Sequence, residues 1–226
     1  MENIPAYIEI VFELTTLLTV YLFYKASNHS KIVLIVLLAW LIVQMLVSKT
    51  GFYTVTDSMP PRLLFLVVPA FASITALFLT DSGRRFVDAL DLKTLTWLHI
   101  VRIPVEIVLL WLFLHKMIPE LMTFEGRNFD ILSGITAPLI VYWVYSKKNI
   151  HSKLFLWWNI LCLALLCNIV ISAILSAPYP FQQLAFDQPN IGVLYFPFVW
   201  LPGCIVPLVF LSHLVAIRRV VKKKNI

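Results

Sequence analysis

Residues 95–117 read LTWLHIVRIPVEIVLLWLFLHKM, a run long enough to cross a bilayer that nevertheless carries His99, Arg102 and Glu106 in its interior. At about 100° of turn per residue, spacings of three and four put these groups on one narrow helical face. That face must look into protein or water, because an ionisable side chain at membrane depth costs at least ~2.5 kcal/mol unless it finds a partner. An intramembrane Arg/Glu pair is therefore the first functional candidate. We expect Arg102 and Glu106 to point into a helical bundle and to be paired with one another or linked through water. Pro104 lies between them and has no N–H to donate to the carbonyl of Ile100, so a local kink is expected there.

The rest of the chain supports the membrane reading. Sixty per cent of its residues are hydrophobic and 13% charged, with a mean hydropathy of +0.87. The apolar runs are too long for the strands of a membrane barrel and lack their alternation, so the fold class is all-α. Seven apolar segments, 5–24, 31–48, 62–80, 95–117, 129–146, 153–175 and 196–217, approach the ~20 residues that a bilayer core requires. They define one integral membrane domain over residues 1–226, a seven-helix bundle. Glu2, Glu9 and Glu13 stand where a secretory signal would be positive, so the first segment is expected to remain as a span.

Charge sets the orientation. Lys25, Lys31, Arg84, Arg85, Lys93, Lys147, Lys148, Lys153, Arg218, Arg219, Lys222, Lys223 and Lys224 fall on one side of such a bundle. Lys49, Arg62, Lys116 and Arg127 fall on the other. Thirteen against four places the C-terminus in the cytoplasm and the N-terminus outside by the positive-inside rule. The basic ending from Arg218 onward suits anionic lipid headgroups and resembles a di-lysine signal. Nothing else looks like eukaryotic targeting, and the reading favours a bacterial plasma membrane. No nucleic-acid partner is expected.

Two connections carry more than a turn. Residues 81–94 intersperse Asp81, Arg84, Arg85, Asp88, Asp91 and Lys93 with Phe86, Val87, Leu90 and Leu92, the pattern of a short interfacial helix or of a charged loop. Residues 176–192 hold Pro178, Pro180 and Pro189 among aromatic residues, which excludes a regular long helix and suggests an ordered cap over the bundle. Pro197, Pro202 and Pro207 in the last segment should kink it and free carbonyls toward its neighbours.

Chemistry is sparser. Glu9 and Glu13 share a face of the first segment, and Glu13 lies deep enough to need a partner. Glu125, Arg127, Asn128 and Asp130 open the fifth segment near His115, where a helix cap is the plainer explanation for Asn128 and Asp130. With Glu120 these residues make an acidic vestibule at the outer mouth of a cavity whose buried polar face Arg102 and Glu106 supply, suited to a small ligand or a cation, the first functional expectation. A transporter, channel or sensor would use such a cavity. The alternatives are a membrane-embedded enzyme acting on a lipid or isoprenoid, and a structural subunit. His99 and His213 lie at similar depth, which would permit haem or metal ligation, although hydrogen-bonded histidines are the simpler reading and no local ligand motif supports a metal. Gln44, Asn159, Asn168 and Ser172 are expected to form interhelical hydrogen bonds. A retinal protein is excluded because residues 196–217 contain no lysine, and three histidines at one membrane face, as a zinc-dependent hydrolase needs, are not found.

Overall fold

A computed structural model of the chain describes residues 4–146 and 152–222, and these are all-helical, without strands. Glu2, the loop 147–151 with Lys147, Lys148 and His151, and the tail beyond Lys222 with Lys223 and Lys224 lie outside the described residues. The helices are α1 (Ala6–Ala26), α2 (Lys31–Lys49), α3 (Leu64–Leu79), α4 (Asp81–Ala89), α5 (Leu92–Leu98), α6 (Arg102–Leu114), α7 (Ile131–Val141), α8 (Ser152–Leu175) and α9 (Val206–Val221). Five helical segments among the described residues have the length and apolarity to cross a membrane. A sixth appears if α3 and α4 count as one bent span, and Ile131–Tyr145 is a shorter apolar helix.

Local chemistry sets the boundaries. Asp91 accepts from the Thr94 N–H at 2.9 Å and so starts α5 earlier than the apolar run suggested. Thr80 is extended, accepts from the Gly83 N–H at 3.1 Å and starts α4 at 95° to α3, so the charged connection is a helix and not an open loop. The missing N–H of Pro104 leaves its mark as a 3-10 turn, His99–Val101, between α5 and α6. Leu92–Leu114 nonetheless forms one transmembrane-length rod, and α1, α7 and α9 all pack on it.

The last segment departs from the α-helix as its prolines imply. A π turn, Leu201–Ile205, precedes α9. Pro207 cannot donate to the carbonyl of Gly203, and the Trp40 indole N–H of α2 takes that carbonyl at 2.8 Å. Trp200 reciprocates by donating to the Leu41 carbonyl at 3.0 Å. These two bonds fix α2, which otherwise buries only Leu41, Gln44 and Ser48. Gln44 accepts a hydrogen bond from the Tyr53 hydroxyl.

The connection 115–130 positions the site. It leaves α6 through Lys116 at φ 60° and passes a 3-10 turn, Glu120–Met122. It then returns inward, because Asn128 bonds to Glu106, eight residues before the end of α6 and thus roughly 12 Å along its axis at 1.5 Å per residue. α7 starts at that depth and is correspondingly short. It lies close on the central rod because Gly134 has no side chain: a Cβ there would stand 2.9 Å from Ile103 Cγ1 and 3.3 Å from Arg102 Cβ. Gly134→Leu should therefore overpack the α6–α7 contact and cost about 1–3 kcal/mol, read as a lowered melting temperature of the purified protein. An unchanged melting temperature would mean that α7 does not approach α6 this closely.

Candidate functional site

The polar face of residues 95–117 turns inward as expected: His99, Arg102 and Glu106 are each at most 2% exposed. Their partners come from other elements. Arg102 does not pair with Glu106. Its Nη1 donates to Asp130 Oδ1 at 2.6 Å and its Nη2 to His213 Nε2 at 2.9 Å. The reason is geometric: the inward loop delivers Asp130 beside the guanidinium and brings Asn128 onto Glu106.

Glu106 is bound instead by Asn128, whose Nδ2 lies 2.7 Å from both carboxylate oxygens and also donates to the Met122 carbonyl at 3.0 Å. The Asn128 Oδ1 accepts from the Asp130 N–H at 3.0 Å, so this one side chain turns the chain just before α7 and ties the Glu106 carboxylate to the backbone of Asp130. His213 completes the network. Asn159 spends its Nδ2 on the Phe155 carbonyl at 2.8 Å, which leaves its Oδ1 to accept from His213 Nδ1 at 2.9 Å. The His213 proton is thereby assigned to Nδ1, and Nε2 is the acceptor for Arg102.

His99 stacks on His213 with ring centroids 4.0 Å apart and planes 17° apart, and Trp158 meets it edge-on at 5.4 Å. This geometry corrects the bis-histidine idea. Both His213 nitrogens are already engaged, and two rings stacked face to face cannot direct lone pairs at a haem iron or metal ion between them. Among the described residues no group of three or more His, Cys, Asp or Glu side chains is arranged to hold a metal.

The network borders a cavity of about 100 Å³ between α3, α6, α8 and the π turn before α9. Glu106, Asp130 and Asn190 line it among otherwise apolar side chains, and Asn190 Oδ1 accepts no hydrogen bond among the described residues. All three present acceptors. The side toward α3 and α8 is edged by Val67, Phe71 and Val170, which are half-buried, and by Ile174, which is 42% exposed. The connection 176–192 closes the opposite end as an ordered cap: Gln188 donates to the carbonyls of Phe113 and Ile118, Asn190 Nδ2 to that of Ala173, and the N–H groups of Ile191 and Gly192 to that of Met117.

The other expected site residues lie elsewhere. Glu9 and Glu13 are half-buried on α1, His115 is half-buried at the end of α6, and Glu125 and Arg127 are exposed on the loop. None of these five lines the cavity, and Asp130 has left their company for Arg102. Asn168 uses the loop differently, donating to the Arg127 carbonyl at 3.0 Å. Asn190 could not be singled out from sequence, because nothing distinguishes it from the other polar residues of a surface connection.

The family model described as a domain of unknown function (DUF8737) matches residues 59–221, a stretch that contains every member of the buried network. No curated protein and no solved structure matches the chain.

Breaking the Arg102–Asp130 pair leaves a buried charge uncompensated, whereas removing both charges does not. Arg102→Met and Asp130→Asn should each destabilise the protein by about 3–5 kcal/mol, with the double variant less destabilised than the sum of the two. A double-mutant cycle on thermal or denaturant unfolding measures this. Strict additivity would contradict the pairing.

Proposed function

The chain belongs to the DUF8737 family, and we propose that it is a seven-span membrane protein that accepts a small amphiphile from the bilayer between α3 and α8. Its N-terminus lies outside and its C-terminus in the cytoplasm of the plasma membrane, an orientation supported by the thirteen-to-four distribution of Lys and Arg. The seven spans are α1, α2, α3, the rod Leu92–Leu114, α7 continued by the π turn Tyr142–Ser146, α8 and α9, with α4 lying along the cytoplasmic surface.

The observation that carries the reading is the lining of the cavity beside Glu106. Its walls are apolar, its rim lies on the sides of α3 and α8 that would face lipid, and among the described residues its polar side chains are Glu106, Asp130 and Asn190, whose one unpartnered atom is the acceptor Asn190 Oδ1. Arg102 is committed to Asp130, so one guanidinium faces two carboxylic groups, and among the described residues Glu106 has no cation of its own in hydrogen-bonding contact. The complementary ligand has an apolar body and a polar end that donates hydrogen bonds, an amine or a hydroxyl. Glu106 is the group that exchanges a hydrogen bond or a proton with it, which is the role a general acid/base would take on a lipid or isoprenoid. Small polar solutes entering from outside are less well served, because Glu9, Glu13, His115, Glu125 and Arg127 contribute nothing to this cavity.

Two measurements test the reading. Reporter fusions within residues 81–93 and 147–152 and at residue 226 should all report cytoplasm, and an external signal from any of them would overturn the topology. For the site, the purified protein in lipid nanodiscs is exposed to a photoreactive long-chain alkylamine and to the carboxylate of the same chain. The amine should label α3 and α8 in preference, and Glu106→Gln should weaken that labelling about tenfold or more, the worth of one charge-assisted hydrogen bond. Equal labelling by the two probes, or labelling indifferent to the substitution, would remove Glu106 as the recognition group.

A further inference from the structure

On the other side of the π turn lies a much larger apolar groove of about 820 Å³, bounded by α2, α3, α9 and Phe86 of α4. Along α2 it runs from Ile32 to Val43, which is roughly 16 Å at 1.5 Å per residue. That is about half of a ~30 Å hydrocarbon core, the depth of a single leaflet. The deep end is closed where Trp40 donates to the Gly203 carbonyl. The shallow end opens beside α4, which leaves α3 at 95°.

The rim of the shallow end is basic. Lys31 immediately precedes the lining residues Ile32 and Val33, and Arg85 immediately precedes the lining Phe86; both side chains are exposed. Neighbouring cations are already committed: Arg84 to Asp81 at 2.5 Å and Arg218 to Asp88 at 3.0 Å. Lys31 and Arg85 make no ion pair among the described residues. A groove one leaflet deep, apolar along its length and cationic at its mouth, is complementary to one molecule class in a membrane. We infer that it holds an acyl chain of an anionic phospholipid from the cytoplasmic leaflet, with the headgroup phosphate met by Lys31 and Arg85. The assignment rests on the membrane orientation proposed above but not on the Glu106 cavity, from which the π turn separates it.

The test uses the full chain in nanodiscs of phosphatidylcholine doped with phosphatidylglycerol brominated on its acyl chains, with brominated phosphatidylcholine as the comparison. Trp40 is the reporter, isolated as the difference between the protein and its Trp40→Phe variant. Brominated phosphatidylglycerol should quench Trp40 at mole fractions about tenfold lower than brominated phosphatidylcholine, since each cation near a phospholipid surface contributes measurably to anionic binding. Lys31→Gln with Arg85→Gln should abolish that preference while quenching at saturation remains. Ala39→Trp, which fills the groove, should remove a retained lipid seen by native mass spectrometry, whereas Glu106→Gln should leave it in place. Equal potency of the two lipids, or a preference that survives the double substitution, would overturn the headgroup assignment. Retention of the lipid by Ala39→Trp would overturn the groove as its site.

Discussion

The fold turns on the ion pair between Arg102 and Asp130. In hydrocarbon a lone guanidinium or carboxylate is expensive, and two that find one another with good geometry remove most of that cost. The pair also decides where the chain goes. Asp130 can reach Arg102 only if the connection 115–130 turns back into the bundle, so α7 begins well inside and is shorter than its neighbours. Asn128 and Met122 are carried along and close over Glu106, while the second guanidinium nitrogen fixes the ring of His213. A single buried charge pair thus assembles a network from α6, the loop, α8 and α9 that none of those elements would form alone.

Prolines divide the remaining space. Pro104 loosens the central rod just before Arg102, and Pro207 frees the Gly203 carbonyl that Trp40 of α2 then captures. The irregular turn Leu201–Ile205 stands between the two cavities, one small and bordered by acceptors, the other large and apolar. Backbone that departs from the α-helix in an apolar surrounding is tolerated only where protein satisfies it, and here the Trp40 side chain of a neighbouring helix takes the freed Gly203 carbonyl.

Much of this was legible in the sequence. Long apolar runs located the helices because hydrocarbon demands them, and the spacing of His99, Arg102 and Glu106 identified a face that had to be buried. The pairing was not legible. Arg102 and Glu106 are four residues apart and invite association, yet Asp130, 28 residues away, is the partner. Only the path of an irregular loop decides that, and no periodicity encodes it. The same loop withdrew Asp130 from the acidic group formed in the reading by Glu9, Glu13 and Glu125, which remain on α1 and on the loop surface. Asn128 was readable as a cap, yet its oxygen turns the chain at the Asp130 N–H before α7 begins, and its amide nitrogen serves Glu106.

The central claim is that residues 118–130 are held inside the bundle by the Arg102–Asp130 pair although they form little regular structure. Hydrogen exchange followed by mass spectrometry measures this directly. In the unsubstituted protein the amides of 118–130 should be protected to a degree comparable with those of α6, and Asp130→Asn should release that protection while α1 and α2 exchange as before. Rapid exchange of 118–130 in the unsubstituted protein would show that the loop lies at the surface and would contradict the account.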